Sequence, residues 1–403
     1  MSGAEPGAEV RRSWQRSVVV AASCAAVGVI VHFLGPVVPV QLAVIFLGVG
    51  LVGAAFMLAW AADAGEAVFS GGLVLAVVAL VTVLPEFVIE IRFAFIQAAE
   101  LVTANLTGAT RLLLAGAVSL PLVVLVLAHA RGHQAAAVRL ADNRRLELGV
   151  LLITAVFAIQ FTVRGNLSVF ESVLLIGLYV LYARRVQGTH GEEAGAVGVA
   201  AGLVALPEKR RRLAIIGLIA GPGLVVLIIA NPFADALLAT GASVGIDPYL
   251  LIQSVVPVAT ESPEFVVVAV LIANRRPAQG MALFLASSVS QWTLGLGALP
   301  IAYLAGGGGP VMPLAPREQL ELAFTIAMTL FVVAALATMQ PQRIDALMVT
   351  VIFVAQLVYP AVPLRVAATF VLLVFALDLL VHRRSTVRPM LRAVWGRRES
   401  TAS

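Results

Sequence analysis

Two matching motifs place the same pair of oxygen-bearing side chains at two points of the chain. The frame T-x-x-P-E-F-V begins at Thr82 and begins again at Thr260, 178 positions later. In each copy the threonine precedes a glutamate, Glu86 or Glu264, by four residues, so hydroxyl and carboxylate share one helix face. Such hard oxygen donors prefer hard cations, for example Ca²⁺, Na⁺ or H⁺. Each motif therefore predicts a group of cation ligands, with Glu86 and Glu264 as the metal-binding carboxylates.

The composition indicates that these motifs lie within a membrane. Apolar residues make up 60% of the 403 residues, charged residues make up only 12%, and the mean hydropathy is +1.00. An average soluble domain is roughly 45–50% apolar and about 25% charged. These values exclude a soluble globular enzyme and a disordered protein. The single cysteine, Cys24, excludes intramolecular disulfides and thiol-rich metal sites.

Apolar runs long enough to cross a bilayer recur twelve times, which predicts an all-α integral membrane protein. The runs cover roughly 17–35, 40–62, 69–97, 101–129, 147–164, 167–183, 213–240, 248–273, 279–304, 318–339, 344–360 and 364–382. With the N-terminus inside the cell, 22 cationic residues fall on the inner side and three on the outer side, as the positive-inside rule requires. We therefore expect a multi-pass protein of a bacterial inner membrane with both termini cytoplasmic.

The predicted spans fall into two halves of similar length. The expected order is an N-terminal arm with an extra helix (1–39), a first repeat half (40–185), a cytoplasmic linker (186–212), a second repeat half (213–385) and a basic cytoplasmic tail (386–403). The span of the first motif starts inside and that of the second starts outside, so the two copies are antiparallel. This arrangement predicts inverted-topology repeats with helices broken at Pro85 and Pro263.

The two motifs contain features that are costly inside lipid. A glutamate near the bilayer centre costs about 2.5–3.5 kcal/mol on the insertion scale, so Glu86 and Glu264 require a polar interior. The proline before each glutamate pushes away the carbonyl four residues earlier, at Val81 and Ala259. Free carbonyls at membrane depth are tolerated only where they line a cavity or bind something. Two matched copies therefore favour a cation site at the midplane over two unrelated helix kinks.

The motifs resemble those of the cation/calcium exchanger superfamily, which includes sodium/calcium and calcium/proton antiporters. That family has two inverted repeats, each with a G-T-S-L-P-E-like signature and a following helix with a G-N-x-x-G-S-N-like stretch. Here the first repeat reads V-T-V-L-P-E at 81–86 and A-N-L-T-G-A-T at 104–110. The second repeat reads A-T-E-S-P-E at 259–264 and L-A-S-S-V-S-Q at 285–291.

The resemblance implies roles for residues of both signatures. Glu86 and Glu264 would be the central cation ligands, with Thr82 and Thr260 beside them. Asn105 follows Glu86 by nineteen residues, which matches the spacing in the family, and we regard it as an accessory residue.

The resemblance also implies further side-chain ligands 23 and 27 residues after each central glutamate. In the second repeat these positions are Ser287 and Gln291, which supply oxygen donors. In the first repeat they are Ala109 and Leu113, which supply none. Because a multi-sodium site would use those oxygens, their loss argues against sodium coupling. The glutamine at position 291 resembles the residue that the calcium/proton branch of the family has at the corresponding position.

Additional charged residues lie close to the two signatures. Glu90 and Glu261 add carboxylates, whereas Arg92 and Arg111 add fixed positive charge in the first repeat. Crowded carboxylates repel one another when ionised, which suits release of a cation by protonation. For Arg111 two interpretations stay open. It pairs with a glutamate and takes a cation's place, or it reaches the lipid headgroups from a helix end.

Together these features predict a secondary antiporter that exchanges Ca²⁺ or a related cation for H⁺ or Na⁺ by alternating access. It is expected to be no enzyme, to need no cofactor, and to interact with inorganic cations and membrane lipid. The cationic residues cluster between apolar runs instead of forming a basic face, which argues against nucleic acid. Two alternatives are an exchanger relative with a scaffold or sensing role, suggested by Ala109 and Leu113, and a membrane-embedded enzyme using Glu and Arg.

Overall fold

The computed structural model describes residues 6–68, 84–130, 138–186 and 198–396, together with Ala196. Up to the middle of the chain the helices are α1 (Pro6–Leu34), α2 (Val40–Val68), α3 (Leu84–Phe95), α4 (Ala99–Ala130), α5 (Arg145–Arg164), α6 (Val169–Val186) and α7 (Gly198–Val204). The later helices are α8 (Glu208–Val244), α9 (Pro248–Thr260), α10 (Ser262–Ala273), α11 (Pro277–Ser290), α12 (Leu296–Ala305), α13 (Pro316–Leu336), α14 (Arg343–Val358), α15 (Val362–His382) and α16 (Arg384–Trp395). A π-helical turn, Gln291–Gly295, joins α11 to α12. The protein is an all-α membrane protein, as predicted.

Eight of the described helical segments are long and apolar enough to cross a membrane, and the bent pair α9–α10 makes a ninth. Three of the twelve predicted spans are not among these nine. The first of them, 69–97, lies partly outside the described residues. In the second, α6 has 18 residues and includes the charged Glu171, Arg184 and Arg185. In the third, α14 has only 16 residues. The total of twelve spans stays a prediction.

The helix break predicted at Pro263 is present between α9 and α10, whose axes differ by 48°. Pro263 is the second residue of α10, a position at which a missing N–H leaves no helical hydrogen bond unmade. The carbonyl of Ala259, which loses its partner because of Pro263, accepts a hydrogen bond from the Ser262 hydroxyl at 2.9 Å. The loosened carbonyl is therefore satisfied locally. Its counterpart at Val81 lies outside the described residues, as does Thr82.

The chain divides into two compact units. The first unit comprises Met1–Ala109, His190–Asn274 and Ala305–Gly308, and the second comprises Thr110–Thr189, Arg275–Leu304 and Gly309–Ser403. Each unit takes segments from both predicted sequence halves, so the halves are interleaved. Within the first unit α2 packs along α1 and α8. Glycines let α1 and α2 approach closely, since a β-carbon on Gly50 would lie 2.7 Å from the Cα of Gly28.

In the second unit α13 is the central helix and packs along α5 and α15. Two short strands, β1 (Asn166–Ser168) and β2 (Val311–Pro313), pair antiparallel with Leu167 opposite Met312. The final helix α16 packs on α5.

Two regions expected to be solvated contain packed helices. Within the predicted linker, α7 buries Val199, Ala200 and Leu203 against Ala64 and Ile215. Within the predicted tail, α16 buries Met390 and Val394. α7 is a short apolar helix and α16 is amphipathic, and an apolar segment of this length was too weak a signal to predict that either helix would pack.

Candidate functional site

The central glutamate of the first motif lies at the start of α3. Pro85 and Glu86 stand in the first turn, and Glu90 follows one turn later on the same face. Both glutamates are almost completely buried. A carboxylate in the first turn of a helix interacts favourably with the N-terminal end of the helix dipole.

The break between α9 and α10 presents three side chains to Glu86 within the first unit. The Glu86 carboxyl lies beside the Thr260 hydroxyl and the Glu261 carboxyl. Glu264, in the first turn of α10, is near enough for its charge to interact with that of Glu86. All of these side chains are buried. The structure thus brings together Glu86 of the first motif and Thr260, Glu261 and Glu264 of the second.

Asn105 on α4 joins this cluster through Glu90. Its side-chain amide donates to Glu90 Oε1 over 3.1 Å. The second oxygens of Glu86 and Glu90, and the amide oxygen of Asn105, are buried and accept no hydrogen bond from the described residues. Buried acceptors without a partner are costly, about 1–3 kcal/mol each. A dehydrated cation would satisfy oxygens of this kind.

The cluster concentrates ionisable carboxyl groups in a buried place. Glu86, Glu90 and Glu264 form no ion pair within the described ranges, since the arginines of the first repeat are engaged elsewhere. Arg92 binds Asp235 of α8, with its Nη1 2.7 Å from Oδ1. The described residues contain no group of three or more His, Cys, Asp or Glu side chains arranged to hold a metal ion. Neutral oxygens would therefore have to complete the shell of a cation at Glu86 and Glu264.

Arg111 belongs to the second unit, where it is fully buried. Its guanidinium binds the Glu321 carboxylate at 2.9 Å, and Arg365 binds the other oxygen of that carboxylate at 2.5 Å. The Gln356 side chain accepts from Arg111 at 3.3 Å, and the Phe324 ring lies 5.0 Å beneath the guanidinium. The interpretation that Arg111 reaches the headgroups is therefore wrong. It pairs with a glutamate, but with one that the sequence analysis missed.

Ser287 and Gln291 also lie in the second unit, four residues apart on α11 and the π-helical turn. Ser287 is half-buried, whereas Gln291 is buried and neither atom of its amide has a hydrogen-bond partner among the described residues. π-Helical turns are frequent at functional sites. At the matching positions of the first repeat, Ala109 and Leu113 are buried and offer no side-chain oxygen.

A further polar pair in the first unit was missed by the sequence analysis. The Gln253 amide of α9 donates to the Thr107 hydroxyl of α4 at 3.2 Å, and both side chains are buried. The backbone carbonyl of Gln253 lies so close to Gly108 that a β-carbon there would be 2.0 Å from the oxygen. The signal in the sequence was a glutamine within the apolar run 248–273, four residues before Pro257.

Comparisons with solved structures agree with this architecture. The crystal structure of the H⁺/Ca²⁺ exchanger CAX matches with a TM-score of 0.87 and 28% identity over 95% of this chain and 98% of that chain. The structure of native YfkE matches with a TM-score of 0.61 and 13% identity over 89% and 99%. The sodium-calcium exchanger NCX_Mj matches with a TM-score of 0.51 and 16% identity over 85% and 99%, and at these last two identities the similarity shows the fold alone.

A comparison with curated proteins finds no match. A sequence profile of sodium/calcium exchanger proteins matches this chain twice, over residues 38–186 and 214–362. The two matches show that the chain contains two related halves, and together they cover well over half of it. The chain therefore belongs to the sodium/calcium exchanger protein family.

Proposed function

We propose that the protein is a Ca²⁺/H⁺ antiporter whose cation site is built around Glu86 and Glu264. The observation that carries the proposal is the buried group of oxygens in the first unit, where Glu86, Glu90 and Asn105 each keep an acceptor that no described residue hydrogen-bonds. Membership of the exchanger family supports cation antiport in general. The similarity to an H⁺/Ca²⁺ exchanger over nearly the whole chain supports this pair of ions.

Two features support H⁺ over Na⁺ as the coupling ion. The first is the crowding of the Glu86, Glu261 and Glu264 carboxyls, because neighbouring ionised carboxylates repel one another and a proton removes this repulsion. The second is the apolar pair Ala109 and Leu113, which removes side-chain oxygens that additional Na⁺ ions would need. Protons require no such coordination shell.

Charge balance explains how one pair of glutamates would serve both ions. Ca²⁺ bound to ionised Glu86 and Glu264 leaves the pair neutral, and protonation of both leaves the pair neutral as well. An unliganded, ionised pair would carry two negative charges in a medium where a single charge is costly. The protein would therefore change its access from one side to the other only when loaded. This requirement couples the flux of Ca²⁺ to the flux of H⁺.

The direct test is Ca²⁺ uptake into proteoliposomes with a pH gradient or a Na⁺ gradient imposed separately. We expect uptake with the pH gradient alone, accompanied by movement of protons in the opposite direction. Glu86→Gln and Glu264→Gln should each abolish uptake, because an amide cannot release a proton or balance a divalent charge. Falling pH should weaken Ca²⁺ binding, because protons compete for the same carboxylates.

Asp378→Asn is the matched control, because Asp378 is a carboxylate of a membrane helix that pairs with His382 at the surface. It should retain uptake. Gel filtration and thermal unfolding should show that both glutamine variants fold. Full uptake by the two variants would reject the site, and uptake driven by Na⁺ but not by protons would reject the coupling ion. A chain that carries no ion under any gradient would support the scaffold or sensing alternative.

A further inference from the structure

The last described helix, α16, follows a membrane-spanning helix directly and has two different faces. Met390 and Val394 are buried against α5. The approach is close, because a β-carbon on Gly149 of α5 would lie 2.5 Å from the Met390 carbonyl oxygen. α16 is thus held against its own unit by its apolar face.

Hydrogen bonds hold both ends of α16 in place. At its start, Arg383 donates to the carbonyls of Ala334 and Ala335 at the end of α13, over 2.9 and 3.0 Å. At its end, Arg185 of α6 donates to the carbonyl of Gly396. The face opposite Met390 is therefore presented in a fixed orientation.

That outward face combines arginines with an aromatic ring. Arg384, Arg388 and Arg392 follow one another at intervals of four residues, so they share one face, and Trp395 continues it three residues later. All three arginines are exposed, and none forms an ion pair with another described residue. The Trp395 side chain is 64% exposed. Unpaired arginines beside an exposed tryptophan are typical of surfaces at the level of lipid headgroups.

We propose that this face of α16 binds anionic phospholipid headgroups. α15 spans the membrane and ends at His382, so α16 begins where the bilayer ends. The arginines match the charge of phosphate groups, and the indole can insert at the headgroup level beside them. Each arginine near an anionic membrane surface is expected to strengthen binding about fivefold at low salt. Because the apolar face is already occupied by α5, the interaction rests on charge and on Trp395.

Quenching of tryptophan fluorescence by brominated lipids tests this proposal. The full-length protein is reconstituted into phosphatidylcholine vesicles with or without phosphatidylglycerol, and the contribution of Trp395 is the difference between wild type and Trp395→Phe. We expect stronger quenching when the brominated chains belong to phosphatidylglycerol. The preference should disappear at high salt and in the triple variant Arg384→Gln/Arg388→Gln/Arg392→Gln.

The charge-preserving variant Arg384→Lys/Arg388→Lys/Arg392→Lys is the matched control and should keep most of the preference. Equal quenching by the two lipids in the wild-type protein would overturn the proposal. Quenching does not depend on transport, so its outcome is independent of the cation site.

Discussion

Several buried polar atoms have no hydrogen-bond partner in the part of the chain that the structure describes, and this has a cost in stability. Oxygens of Glu86, Glu90 and Asn105 are of this kind in the first unit, and both amide atoms of Gln291 in the second, among the described residues. Folding alone would favour apolar side chains at these positions. Retaining polar groups that weaken the fold is typical of functional sites.

This cost predicts that replacing Gln291 with methionine stabilises the protein, whereas the same replacement of Gln356 destabilises it. Gln291→Met should raise the free energy of unfolding by about 1 kcal/mol, because it removes two unsatisfied polar atoms at nearly constant volume. The same change should lower Ca²⁺ uptake about tenfold if Gln291 supplies a cation ligand. Thermal unfolding in detergent and proteoliposome flux measure the two effects.

Gln356→Met is the control for this prediction. Gln356 is also buried, but its carbonyl oxygen accepts a hydrogen bond from Arg111. Its replacement should therefore destabilise the protein. Destabilisation by both changes would contradict the view that Gln291 is held unsatisfied for function.

The residues of the duplicated motif could be identified from the sequence, whereas their partners could not. A glutamate after a proline in an apolar run can be recognised from its neighbours in the sequence. Glu86 and Glu264 were identified in this way. The pairing of Arg111 with Glu321 joins residues 210 positions apart, so only the packing of α4 on α13 decides it. Glu321 nevertheless lies in the predicted span 318–339, where an ionisable residue was itself a signal.

At the level of helices, the contact between α4 and α9 depends on the absence of one side chain. Pro257 has no N–H to donate to the carbonyl of Gln253 four residues earlier. Gly108 of α4 packs directly against that oxygen. The same part of α4 carries Asn105 and Thr107, so this close contact positions polar side chains of the cluster.

Gly108→Ala should force α4 and α9 apart. The added methyl group would lie 2.0 Å from the Gln253 oxygen, well inside van der Waals contact. Overpacking of this type costs about 1–3 kcal/mol, and the shift of Asn105 should reduce Ca²⁺ transport. Thermal unfolding and flux measure both consequences.

Gly217→Ala on α8 provides the comparison, since a β-carbon at Gly217 meets no atom within 4 Å. Alanine there should stabilise the helix by up to about 1 kcal/mol and leave transport unchanged. Equal transport by the two alanine variants would show that the contact at Gly108 has no bearing on the cation site.

Helices were predictable where hydrophobicity alone determines them. The apolar runs matched the long membrane helices, and the proline of the second motif marked the break between α9 and α10. The short helices α7 and α16 were not predicted, because their stability comes from neighbours distant in sequence. Val199 packs near Ala64, and Met390 packs near Gly149.

At the level of the whole molecule, each compact unit combines segments of both halves of the chain. The family profile matches each half once, yet neither half forms a unit by itself. Sequence symmetry can reveal two related halves. It cannot reveal that they are interleaved, because this depends on which helices pack together.

The orientation of the chain is testable by cysteine labelling. Cys24→Ser gives a cysteine-free background, into which Gly309→Cys and Glu208→Cys are introduced separately. Both positions are exposed in the structure. With twelve spans and cytoplasmic termini, a membrane-impermeant maleimide should label position 309 in intact spheroplasts and position 208 only after permeabilisation. The reverse pattern would invert the proposed topology.

The ladder between β1 and β2 determines how deeply the second unit sits in lipid. Each strand has one edge that pairs with no other described strand, and unpaired backbone groups are not tolerated in hydrocarbon. The ladder therefore marks one limit of the hydrocarbon layer. α5 leads to β1 over 20 residues, a length of about 30 Å, which is the usual thickness of that layer. In a markedly thicker or thinner bilayer the protein would have to tilt, or the surrounding lipid chains would have to stretch or compress.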